Sequence, residues 1–130
     1  MLTKQVHLSS IGQIAVNVHD LEKATAFYRD TLGMSFIFQV PGMMSFFECG
    51  DTRLMLSVPT SPEYDHPSSI IYYRVDDIQE AFAALSAREV VFSQEPRSIG
   101  RMGNVDVWMA FFEDVDGNTL ALMCEVGVGE

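Results

Sequence analysis

The chain has 130 residues, 48% hydrophobic and 20% charged. That is the balance of a globular protein long enough to bury a core without disulfides or metal staples. Its formal net charge of −10 argues against nucleic acid and anionic membrane as partners, since phosphate binding needs clustered Lys and Arg. The acidity suits solubility, and a cationic small molecule is compatible with it. No apolar run approaches the roughly 20 residues of a membrane helix. Residues 1–7 carry no signal-peptide core, so the expected location is the cytoplasm. Cys49 and Cys124 form no CxxC pair and read as reduced, small buried side chains.

Residues 12–18 read as a strand, with Ile14, Val16 and Val18 alternating against Gln13, Ala15 and Asn17. Asp20 then serves as a helix N-cap, its carboxylate accepting from otherwise unpaired backbone N–H groups. Leu21, Ala24, Phe27, Tyr28 and Leu32 form an apolar stripe at helical spacing, and Gly33 supplies the stop. Strands follow over 34–40, 43–49 and 52–58, with turns at Pro41-Gly42 and Gly50-Asp51. Residues 59–69 hold Pro59, Pro62 and Pro67 and read as a linker.

The pattern then restarts. A strand over 70–75 leads to Asp77 as cap, with Glu80 three residues on, as in a capping box. Ile78, Ala81, Phe82 and Leu85 make the buried stripe of a second helix. Strands are expected near 90–96, 105–113 and 118–125, with Asp116-Gly117 as a hairpin turn. Residues 97–104, containing Gly100, Gly103 and Asn104, read as a mobile loop.

These two passages are copies. At an offset of 57, Ile14 meets Ile71, Val18 meets Val75, Asp20 meets Asp77, Leu21 meets Ile78 and Ala24 meets Ala81. The expected organisation is one domain of two βαβββ units, repeat one over 12–58 and repeat two over 70–125, joined by the 59–69 linker. Alternation sorts the strands into faces. Ile14, Val16, Val18, Leu54, Leu56, Val58, Ile71, Tyr73, Val75, Leu120, Leu122 and Cys124 belong under the helices. The intervening residues face the other way.

Several spaced motifs run through nearly the whole chain: Val18-His19-Asp20-Leu21, Phe27-Tyr28-Arg29-Asp30-Thr31-Leu32-Gly33, Val75-Asp76-Asp77-Ile78 and Phe112-Glu113-Asp114-Val115-Asp116-Gly117-Asn118. In these the chain resembles the vicinal oxygen chelate superfamily of glyoxalases, bleomycin resistance proteins and dioxygenases. The last motif departs from the family's pattern by carrying Val115 where a proline is usual. The resemblance implies an α+β fold whose two βαβββ repeats form an incomplete barrel, with helices outside and the active site in the concave inner face. It also implies a homodimer.

Metal-dependent members of that family hold their ion with four side chains, two from each repeat. Carried onto this chain, the positions are Gln13, Met55, Ile70 and Ala121. Only Gln13 matches. Ile and Ala offer no lone pair, and a Met thioether suits soft ions rather than the hard or borderline ones of this family. His7, His19 and His66 read as surface histidines outside any cluster. No metal and no cofactor is therefore expected, and metal-dependent glyoxalase or dioxygenase chemistry is disfavoured.

What remains is a cup lined by Met55, Ile70, Tyr72, Ala121 and Met123, with Gln13, Asn17, Arg53, Ser57, Arg74 and Glu125 as polar groups. Such a mixture is what small-molecule sites look like. Trp108 offers a ring to stack on a planar ligand, or else a core or dimer-interface aromatic. Three readings stay open: a binding module for a small molecule; a metal-independent lyase or isomerase; a dimeric protein with a vestigial cup. In the enzyme reading Glu125 or Tyr72 acts as acid or base, and Arg53 or Arg74 holds a substrate anion.

Overall fold

Asp20 and Asp77 open the two helices in the same way. Each accepts a hydrogen bond from the backbone N–H three residues on, Lys23 at 3.1 Å and Glu80 at 3.0 Å. The computed structural model describes residues 6–128; residues 1–5, part of the stretch read above as lacking a signal-peptide core, lie outside the described residues. Repeat one comprises β1 (Gln13–Asn17), α1 (Leu21–Ala26), β2 (Ser35–Val40), β3 (Met44–Cys49) and β4 (Thr52–Ser57). Repeat two comprises β5 (Ile71–Arg74), α2 (Ile78–Ala87), β6 (Phe92–Met102), β7 (Val105–Glu113) and β8 (Thr119–Gly127).

Each repeat forms a four-stranded mixed sheet, ordered β1-β4-β3-β2 and β5-β8-β7-β6. In both, the first strand pairs parallel with the last, and the rest pair antiparallel. This is the βαβββ architecture with open, unclosed sheets. Even the bond leaving the first strand is duplicated: Val18 N–H donates to Ser57 O at 3.0 Å and Val75 N–H to Met123 O at 2.9 Å.

α1 continues into a widened turn over Phe27–Thr31, where Leu32 N–H reaches Phe27 O at 2.9 Å, five residues back. Gly33 then ends the helix at φ +74, a conformation that glycine adopts without a Cβ clash. α1 packs on β3 and β4, where Thr25 and Ser45, both buried, share a 2.7 Å hydrogen bond. One apolar core runs behind both sheets, including Val16, Leu54, Leu56 and Phe47 of repeat one with Ala110, Phe112, Leu120 and Leu122 of repeat two.

The motifs behind the resemblance hold each other. Asp114 is buried at the β7–β8 turn and accepts from Asp116 N–H (2.8 Å), Asn118 N–H (2.9 Å), Asn118 Nδ2 (2.9 Å) and the Tyr28 hydroxyl (2.7 Å). Burial, then the Asp114 charge, raises the Tyr28 hydroxyl pKa far above its ordinary value, so it remains a donor. A carboxylate placed there satisfies the turn and fastens it to the first helix.

Two expectations are corrected. Residues 97–104 are not a loop: β6 runs to Met102, pairs with β7 out to Met102↔Val105, and only Gly103 and Asn104 turn. Register shifts between Phe92 and Gln94, Gln94 and Arg97, and Ser98 and Gly100 break the period of two that marks a strand. The strand lies at the sheet edge, where Pro96 is tolerated. Trp108, read as a ring for the cup or else a core or dimer-interface aromatic, lies on the face away from the cup. It sits opposite Cys124, packs against the core and borders a hollow with Asp77, Ile78 and Gln79 at the start of α2. β7 is apolar on both faces, so alternation alone did not say which face Trp108 takes.

Candidate functional site

Strand registers fix which side chains share the inner faces. In repeat one, Gln13 and Ala15 of β1 lie beside Arg53 and Met55 of β4, and Met55 lies opposite Phe46 of β3. The Gln13 Nε2 donates to the Met55 sulfur at 3.7 Å, so the one family-like ligand position faces a thioether. Phe46 opposes Phe38 of β2, and their rings stack with centroids 4.7 Å apart and 26° between planes. Arg53 completes this wall, its Cζ 5.9 Å from the Phe46 centroid, within range of a cation–π contact. Phe46 is covered, whereas Phe38 is 48% exposed. Ser57 faces the same side, opposite Met44.

In repeat two, Tyr72 and Arg74 of β5 lie beside Ala121 and Met123 of β8. Tyr72 meets Phe111 edge-on at 6.0 Å and is 44% exposed; Ala121 is fully buried between its neighbours. Arg74 reaches Glu125 at 3.8 Å, an exposed ion pair of the kind that contributes little to stability. Ile70, just ahead of β5, is 43% exposed.

The structure therefore brings Gln13, Arg53 and Met55 together on one sheet, and Tyr72, Arg74, Ala121, Met123 and Glu125 on the other. Asn17 is occupied elsewhere. Its side-chain amide donates to Tyr64 O (2.6 Å) and His66 O (3.0 Å), pinning the linker onto β1. An amide with two donors near exposed carbonyls is a fastener before it is a ligand.

Phe38, Phe46 and Phe111 were missed in the sequence. The pair Phe46-Phe47 was a usable signal, because adjacent strand residues must take opposite faces. Phe38 was not legible. A register shift between Phe36 and Phe38 turns Phe36 onto Phe47 behind the sheet and Phe38 onto Phe46 in front.

The contacts that join the repeats run behind and beside the sheets. They include Tyr28 to Asp114, Arg88 Nη1 to Thr31 O at 2.8 Å and Asn118 Nδ2 to Asn17 O at 3.0 Å. His19 adds a clasp, with Nε2 2.9 Å from Asp65 of the linker and Nδ1 3.1 Å from Asp116 of the β7–β8 turn. Asp65 foremost, then Asp116, raises the His19 pKa above the ordinary histidine value. The inner-face contacts, by contrast, stay within one repeat: Gln13 to Met55, Phe38 to Phe46, Tyr72 to Phe111, Arg74 to Glu125.

A metal does not fit the donors present. Gln13 and Met55 share one sheet while Ile70 and Ala121 belong to the other repeat, and only an amide oxygen among them is a hard donor. Among the described residues, no group of three or more His, Cys, Asp and Glu side chains is arranged to hold an ion. Nor is any helix among them long and apolar enough to cross a membrane.

Paired βαβββ units with an open inner face define the class, and comparison with known proteins gives the family. Residues 10–122 match the model of the Glyoxalase/Bleomycin resistance protein/Dioxygenase superfamily, and the chain belongs to that family. No curated protein matches the chain. Among solved structures, it is similar to TnmS3, an antibiotic binding protein from Streptomyces sp. CB03234. Identity is 28% and TM-score 0.75, with 93% of this chain and 99% of that one covered. A superfamily member from Sphaerobacter thermophilus DSM 20745 is 27% identical with TM-score 0.75, covering 91% and 98%. A lactoylglutathione lyase from Agrobacterium tumefaciens is 25% identical with TM-score 0.72, covering 89% and 93%.

Proposed function

We propose that this protein binds a planar small molecule in its inner face without a metal ion, and that it works as a homodimer. The observation that carries this reading is the stacked Phe38–Phe46 pair flanked by Arg53, beside a Gln13–Met55 pair where metal-dependent relatives need hard donors. An exposed ring face attracts another planar π-system by stacking and area burial, and needs no reactive group. The likeness to an antibiotic binding protein supports the same direction. The dimer follows from the open inner faces: Phe38, Ile70 and Tyr72 are each more than two-fifths exposed, and a second copy laid over them covers that apolar area.

A metal-independent enzyme has weaker footing. Its base candidate Glu125 and its anion-holding candidate Arg74 face each other at 3.8 Å, so each partly neutralises the other. Thermal shift against a panel of planar drugs and metabolites tests the proposal, because binding to the folded state raises the midpoint. At least one planar compound should shift the wild type and lose that shift in Phe38→Ala. Metal analysis after offering Zn²⁺, Ni²⁺ and Mn²⁺ should find less than stoichiometric ion. A stoichiometric ion lost on Gln13→Ala, or turnover abolished by Glu125→Gln, would overturn the reading.

A further inference from the structure

Charge is spread unevenly over this protein. The chain carries 8 Lys and Arg against 18 Asp and Glu. Strand register nevertheless puts three of the eight cations, Arg53, Arg74 and Arg97, on the inner faces. The acidic residues that register places there are Glu48, Glu113 and Glu125. The inner faces are therefore balanced where the whole chain stands at −10, and an anion meets no net repulsion on them.

The three arginines are not equivalent. Arg74 is taken by Glu125 at 3.8 Å, whereas Arg53 and Arg97 form no ion pair among the described residues. Arg97 lies on the edge strand β6, opposite Met109. Arg53 stands against the aromatic wall. Its register partner on β3 is Glu48, but its guanidinium lies over Phe46, with Cζ 5.9 Å from the ring centroid, rather than on that carboxylate. On its other side is Gln13, whose Nε2 carries a second N–H besides the one given to the Met55 sulfur. Phe38, Phe46, Arg53 and Gln13 thus run across β2, β3, β4 and β1, with rings at one end and donors at the other. Neighbouring strands lie about 4.8 Å apart, so the span from β2 to β4 is about 10 Å.

We propose that the inner face of repeat one selects a planar aromatic carboxylate, its ring laid on Phe38 and its carboxylate held by Arg53 with Gln13 beside it. This rests on the reading of that face as a planar-ligand site, and adds the charge and the orientation of the ligand. The flat guanidinium fork donates two parallel hydrogen bonds to a carboxylate, which fixes the ligand's direction across the strands as well as its sign. A neutral ring of the same shape keeps the stacking and loses the clamp. The net charge of the chain suits a cation; the groups around Phe38 suit the opposite sign.

The test is a calorimetric titration of the full chain at neutral pH with trans-cinnamate and trans-cinnamamide, a pair alike in shape and different in charge. Cinnamate should bind about fivefold tighter, the worth of a partly exposed charged clamp, and the preference should shrink as salt is raised. Arg53→Gln should remove the preference and leave the affinity for the amide unchanged. Arg53 is exposed, so the melting midpoint of that variant should match the wild type. Arg97→Gln deletes the same charge from the other sheet and should leave the preference intact, while Glu48→Gln should widen it. Equal binding of the two probes, both weakened by Phe38→Ala, would overturn this inference and leave the planar-ligand reading standing. So would binding of neither probe when another planar compound still binds through Phe38. A preference reduced equally by Arg53→Gln and Arg97→Gln would trace it to charge at a distance and overturn the clamp. Absence of any planar ligand would overturn both readings.

Discussion

The same strands present two faces with opposite fates. Behind the sheets, Val16, Leu56, Phe47 and Phe112 are at most 2% exposed, and buried polar groups there include two bonded pairs, Thr25 with Ser45 and Tyr28 with Asp114. In front, Gln13, Ala15, Arg53, Tyr72 and Arg74 remain exposed. The rear face is fixed by packing and the front face is left for something else to cover. Under the proposed function, stability and binding sit on alternate residues of the same strands, and truncations one position apart should separate them.

The largest effect is expected at Leu56, fully buried behind β4. Leu56→Ala should cost about 3–4 kcal/mol by chemical denaturation, through lost burial and the void left behind. Met55→Ala, one residue away on the front, should cost less than half as much. Equal costs would erase the distinction between faces.

Next is Asp114, whose carboxylate collects four hydrogen bonds. Asp114→Ala leaves those donors without an acceptor in a buried turn and should cost about 2–3 kcal/mol. Tyr28→Phe removes one of the four bonds and should cost about 1–1.5 kcal/mol. A larger loss for Tyr28→Phe than for Asp114→Ala would show that the hydroxyl does more than complete the Asp114 clasp.

Phe38→Ala should change stability by less than about 1 kcal/mol, because nearly half the side chain is already exposed. The same change should lower affinity for a planar ligand about tenfold, the worth of one well-placed aromatic contact. A stability loss with affinity intact would move Phe38 from the front face's function to its structure.

The smallest effect belongs to His19, exposed and held between Asp65 and Asp116. Its folded-state pKa lies above the ordinary value of 6.5, so its stabilisation is complete below that pH and is lost as pH rises through the raised pKa. The melting midpoint of wild type minus that of His19→Gln should accordingly be positive at pH 5 and shrink toward pH 8. A difference that grows with pH would reverse the assignment.

Much of this was legible before folding. The 57-residue repeat, the caps at Asp20 and Asp77 and the face of each inner strand follow from spacing and alternation, which are local properties of the chain. The position of Phe38 and the length of β6 were not, because both depend on shifts in strand pairing. The partners of Asn17 and His19 were not legible for a related reason. Those partners, Tyr64, Asp65, His66 and Asp116, lie 46 to 97 residues away, in segments without periodicity.

The sequence by itself determined a doubled βαβββ fold and which residue types its inner faces carry, since alternation assigns side chains to faces. Only the tertiary structure decided that two phenylalanines stack beside Arg53 and that Trp108 faces the core. Register is a property of how distant segments meet, and no local pattern encodes it.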